Sequence, residues 1–141
     1  MSRRFFNYQQ GFKWGVRMSI HKSIDQEHEE AIQAIVLLAR DILAGRYQIL
    51  KGVCELYYLC QYGRVSLDEP FDTNLRFIES DCQGLPLFDD FRAKCSSEYL
   101  ERQEPNIRQF EEAVKNEVIE ICNVILRKFG TAGNTEVPPI W

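Results

Sequence analysis

Nowhere does the 141-residue sequence hold the roughly 20 consecutive apolar residues that a membrane-spanning helix needs. The N-terminal Ser2-Arg3-Arg4-Phe5-Phe6 has the arginine pair of an export signal, but glutamines, Lys13 and Arg17 interrupt any apolar core such a signal requires. Five cysteines, at 54, 60, 82, 95 and 122, are an odd number without a Cys-x-x-Cys pair or zinc-ribbon spacing, which fits a reducing compartment better than a disulfide framework. Cytoplasmic residence is the expectation.

Glycine-rich phosphate loops are missing too. The eight glycines are scattered and form neither a Walker loop nor a dinucleotide fingerprint. No Gly-x-Ser-x-Gly elbow is present, Cys54, Cys60 and Cys122 fall on apolar stripes, and Asp81 beside Cys82 opposes thiolate formation. Only two histidines occur. His21, Asp25 and His28 would share a face of a continuous helix, as a metal site requires, but a di-iron bundle needs such histidines on two different helices. An exposed polar face is the commoner reason for this spacing. These observations predict no catalytic residue, no cofactor and no bound metal.

What is present is a composition that folds. An apolar share of 45%, a charged share of 27% and a formal charge of −4 are those of an ordinary globular domain. Domains of this size bury about 68–70% of the surface of their unfolded chain, so no staple is needed.

From Ser23, Ile24, Ala31, Ile32, Ile35, Leu38, Ala39, Ile42 and Leu43 recur at helical steps behind Asp25, Glu27, Glu29 and Glu30, with Gly45 as a left-handed stop. A second run, Ile49, Leu50, Val53, Leu56, Tyr57 and Cys60, ends at Gly63 and should fold back on the first. Gly52 within it weakens a helix by about 1 kcal/mol unless it permits close packing. Ser96 or Ser97 caps a further helix that Pro105 either kinks or restarts. Ile107, Phe110, Val114, Val118, Ile121, Ile125 and Phe129 then form a continuous apolar stripe.

Between these runs, residues 64–95 lose the periodicity and read as loops, with Leu75-Arg76-Phe77-Ile78 either one helical turn or a short extended piece. The predicted fold is all-α: one domain over residues 1–130, an antiparallel helical bundle of three or four main helices with an irregular acidic middle segment. A basic aromatic arm (1–22) precedes the first helix, and an aperiodic, mobile tail (131–141) follows the last.

The arm carries Arg3, Arg4, Lys13, Arg17 and Lys22 without an acid, among Phe5, Phe6, Tyr8, Phe12 and Trp14. Such a mixture could bind nucleic acid or a membrane surface, but the overall acidity argues against polyanions and favours aromatics that cover one end of the core. Charge of the opposite sign concentrates in the middle. Asp68, Glu69, Asp72, Glu79, Asp81, Asp89 and Asp90 face a single base, Arg76, between Ser66 and Asp90, giving the segment −6 while the rest of the chain sums to +2. A surface of that sign suits capture of a basic protein, since complementary potential speeds encounter and fixes register. A solvated loop without a partner fits the same composition.

Ala39-Arg40-Asp41-Ile42-Leu43-Ala44-Gly45, Ile49 with Gly52 four residues before Leu56, Asp81 ahead of Leu85-Pro86, and Glu120-Ile121-Cys122 carry a resemblance over residues 38–126. The chain resembles a family of small helical bacterial proteins associated with the immunity proteins of contact-dependent growth inhibition and related toxin systems. Where that family has Asp-x-Glu-x-Asp-x-Leu-Pro, this chain has Glu79-Ser80-Asp81-Cys82-Gln83-Gly84-Leu85-Pro86. The resemblance implies a non-enzymatic protein that binds a cognate toxin in the cytoplasm and blocks its active site, the toxin being a nuclease whose basic cleft the acids would fill. A nucleic-acid-binding regulator acting through the arm and a small metal-dependent enzyme acting through His21, Asp25 and His28 are the competing expectations.

Overall fold

The computed structural model describes residues 23–130, and these form five α-helices without a strand: α1 (Ile24–Leu43), α2 (Ile49–Gly63), α3 (Phe71–Cys82), the single turn α4 (Asp89–Arg92) and α5 (Ser97–Phe129). The arm (1–22) and the tail (131–141) lie outside the described residues. None of the described helices is long and apolar enough to cross a membrane.

Helix α1 starts where Ser23 can close a reciprocal cap. Its hydroxyl accepts from the Gln26 amide at 3.1 Å, while the Gln26 side chain accepts from the Ser23 amide at 3.0 Å. Asp25 and Glu27 place negative charge at the positive end of the dipole. Gly45, at φ +78°, makes the left-handed turn after Ala44, and Arg46 binds Asp41 at 3.0 Å across the connection to α2.

Small residues set the distance between α1 and α2. A Cβ on Gly52 would lie 2.5 Å from Cδ1 of Ile42, and one on Gly63 would overlap Cβ of Ala31. Position 42 thus lies against 52, and 31 against 63, which is antiparallel pairing. Gly63 is not the left-handed stop that its place at the helix end suggests. That conformation falls to Arg64, at φ 56°, with the Val65 amide donating to the Cys60 carbonyl at 2.9 Å. Glycine is required one residue earlier, by packing.

The middle of the chain departs from the expected loop. Residues 71–82 form three turns of helix, so Leu75-Arg76-Phe77-Ile78 is helical. Leu75, Ile78, Glu79 and Cys82 face inward at steps of 3, 1 and 3, a helical period in which a carboxylate takes an interior place. Leu87 and Phe88 are buried in the connection that follows.

Ser96 caps α5, accepting from the Tyr99 amide at 3.1 Å. Pro105 does not restart the helix, which runs unbroken for 33 residues. Pro105 and Glu101 are both exposed, so water can satisfy the carbonyl that proline leaves without a donor. From Ile107 onward, Ile107, Val114, Val118, Ile121 and Ile125 are buried, while Phe110 and Phe129 pack half-buried at the margin. The inward faces of α1, α2, α3 and α5 share one hydrophobic cluster.

Candidate functional site

The seven acids of the middle segment fall into three structural situations. Four are engaged in the fold. Asp68 lies 3.1 Å from Lys128 near the end of α5, and Glu69 accepts from the Thr73 amide at 3.1 Å, serving the first turn of α3. Asp72 accepts from the Leu67 amide at 3.0 Å with one oxygen, and its other oxygen is 3.6 Å from Arg76. Glu79 is 3% exposed, with Gln83 donating to its two oxygens at 3.2 and 3.4 Å. It therefore belongs to the interior and cannot form part of a partner-facing surface without rearrangement.

Asp81 and Asp89 are exposed and make no ion pair among the described residues. Asp90 is exposed beside Asp89. Asp72 and Asp81 are nine residues apart, about 14 Å along the axis and half a turn around it. The acids are thus a tethered group at the start of α3 and an exposed group at its end and on α4, rather than one cluster.

Phe77 is 62% exposed, an aromatic ring left in water on the outer side of α3. Asp81 follows at i+4 on the same face, with exposed Ser80 beside it. Periodicity could have found Phe77: once Leu75, Ile78 and Cys82 define the inner side, position 77 must point away. Phe91 on α4 is 42% exposed, and its carbonyl accepts from the Cys95 thiol at 3.3 Å. No lysine or arginine occurs between Phe77 and Phe91.

The residues of the metal alternative are only partly described. His21 lies outside the described residues, Asp25 is exposed, and His28 Nδ1 is 2.7 Å from the Gly63 carbonyl oxygen. No group of three or more His, Cys, Asp or Glu with the spacing of a metal site occurs among the described residues. Cys54, Cys60, Cys82 and Cys122 are buried, and burial pushes the thiols of Cys60 and Cys122 up to about 12.

One unusual acid has little to announce it in the sequence. Glu55 interrupts the apolar run of α2, and burial pushes its carboxyl up to about 8 against the opposing pull of the Tyr47 hydroxyl and Lys51. Its Oε2 is enclosed without a hydrogen-bond partner. Nearby in sequence, Tyr47 lines an open cleft of about 450 Å³ with Ile42, Ile49, Glu111, Lys115 and Ile119, in which apolar and oppositely charged side chains alternate without a common polarity. Comparison with protein-family models, with curated proteins and with solved structures finds no match.

Proposed function

We propose that this protein is a binding protein that captures a basic protein surface, in the manner of the toxin-neutralising immunity proteins that residues 38–126 resemble. The observation that carries the reading is the exposure of Asp81 and Asp89, without an ion pair among the described residues, in a stretch that holds no base from Phe77 to Phe91. Acids that serve no internal bond keep their full potential for a partner, and a single-sign patch steers a basic protein toward it.

In this reading the partner is the toxic domain of a contact-dependent inhibition system, a nuclease whose substrate cleft is lined with cations. Carboxylates stand in for phosphates there, and blocking access is sufficient. The protein acts in the cytoplasm, transforms nothing and needs neither cofactor nor metal.

The test is protection. The chain is co-expressed with the toxin domain encoded beside it in its native host, and cell survival and complex formation are followed. Survival together with a stable one-to-one complex is the expected result. Cell death despite full expression, or the absence of any co-purifying basic protein from the native host, overturns the reading.

A further inference from the structure

Resting on that reading, we infer that the outer face of α3 is the centre of the partner contact, with Phe77 as its apolar anchor and Asp81 as the charge beside it, and that the partner presents an apolar pocket rimmed by arginine or lysine. Among the described residues four large apolar side chains are well exposed: Ile24, Leu37, Phe77 and Phe91. Ile24 adjoins the undescribed residues, and Leu37 stands between Gln33, Arg40 and Asp41, a mixed surface. Phe77 is the most exposed of the four and the only one with a free carboxylate one turn away on its own face. A half-exposed hydrophobe is ordinary at a protein surface. A phenyl ring one turn from an exposed carboxylate has the composition of an interface core with its rim, where aromatics supply contact area and charged neighbours supply orientation.

The partner's sign follows from charge complementarity. Asp81, one turn from the ring, attracts cations and repels acidic surfaces, which favours burial of the ring by a surface that brings cations with it. Thr73, Asn74 and Ser80 surround the ring with short polar side chains that leave room for a pocket wall to close over it. Asp68, Glu69, Asp72 and Glu79 are engaged within the fold, by Lys128, Thr73, Leu67 and Gln83.

The experiment places the photocrosslinker p-benzoylphenylalanine at position 77, at position 33 on α1 or at position 109 on α5, and irradiates the native host expressing each full-length variant. The crosslinked protein is then purified and its affinity measured for wild type, Phe77→Ala and Asp81→Asn at two salt concentrations. A basic protein crosslinked from 77 alone is expected. Phe77→Ala should weaken its binding at least about tenfold through faster dissociation, with Tm unchanged. Asp81→Asn should slow association about threefold at low salt and have no effect at high salt. Crosslinking from 33 or 109 but not 77, an acidic partner, or an unchanged affinity for Phe77→Ala overturns the assignment of this face and leaves the binding function standing. No crosslinked protein from any of the three positions overturns both.

Discussion

His28 Nδ1, one turn into α1, lies 2.7 Å from the carbonyl oxygen of Gly63, the last residue of α2. A carbonyl can only accept, so Nδ1 carries the proton and the imidazole closes one of the carbonyls that a helix end leaves open. The ring also brings a donor to the negative end of the α2 dipole. His28→Ala should therefore cost about 1–3 kcal/mol, the penalty for a part-buried acceptor left without a partner, read from urea denaturation midpoints. A loss within about 0.3 kcal/mol would show that water replaces the ring.

Gly52→Ala and Gly63→Ala should differ, although both add one methyl to the same helix. At Gly52 the new carbon meets the end of the Ile42 side chain, which can rotate, and the gain of about 1 kcal/mol in helix propensity offsets much of the strain. At Gly63 it meets Cβ of Ala31, which can move only with its backbone. Gly52→Ala should shift stability by about 1 kcal/mol or less, and Gly63→Ala should lower it by about 3 kcal/mol. Equal effects in thermal unfolding would contradict the close approach at 63.

Helices α1, α2 and α5 are legible in the sequence because each repeats its apolar stripe over three or more turns, so that one polar intrusion does not mask the period. Helix α3 is not, for a physical reason. It offers only four inward positions; Glu79 fills one of them and Phe77 lies outside, so hydrophobicity taken alone points to the wrong face. Glu79 misleads the charge reading by the same route. Composition counts it among the acids of a surface, whereas the fold seats it in the interior against Gln83. The sequence also cannot say that Asp68, Glu69 and Asp72 serve the loop before α3, since those bonds depend on where the loop turns. Phe77 and Asp81 become a candidate site only when the helix is known.

The stripe of α5 predicts a graded response. Ile121 is fully buried while Phe110 is half-buried at the margin. Ile121→Ala should cost about 3–5 kcal/mol, and Phe110→Ala less, about 1–2 kcal/mol, despite the larger side chain removed. Denaturant unfolding of the two variants checks the order, and the reverse order would place Phe110 deeper than the fold does.

Glu55 should make stability depend on pH in an unusual direction for a carboxylate. Its folded value of about 8 lies above the ordinary 4.5, so the native state holds a proton that the unfolded chain releases. Stability from this group is full below about pH 4.5 and is lost as pH rises toward 8. Glu55→Gln, which stays neutral, should remove that loss. The variant should gain about 1–3 kcal/mol on wild type between pH 5 and pH 8. Parallel pH profiles for the two proteins would mean that Glu55 is ionised throughout.

The acids of the middle segment should separate under charge reversal according to what they touch. Asp81→Lys and Asp89→Lys alter exposed side chains without an internal ion pair, and stability should stay within about 0.5 kcal/mol of wild type. Asp72→Lys removes the acceptor of the Leu67 amide and sets a second cation against Arg76, for a loss of about 1–3 kcal/mol. Glu79→Lys forces an ammonium into a site 3% exposed that holds Leu75 and Ile78 as neighbours on the same helix face, and this chain should fail to fold or unfold well below the others. Circular dichroism melts of the four variants give the order directly. The order decides how any binding data are read: lost affinity in Asp81→Lys or Asp89→Lys with an unchanged melt reports on the partner surface, whereas lost affinity in Asp72→Lys or Glu79→Lys reports on the fold. Should Glu79→Lys melt like wild type, the inward side of α3 is misassigned, and with it the exposure of Phe77 and Asp81 on the opposite side.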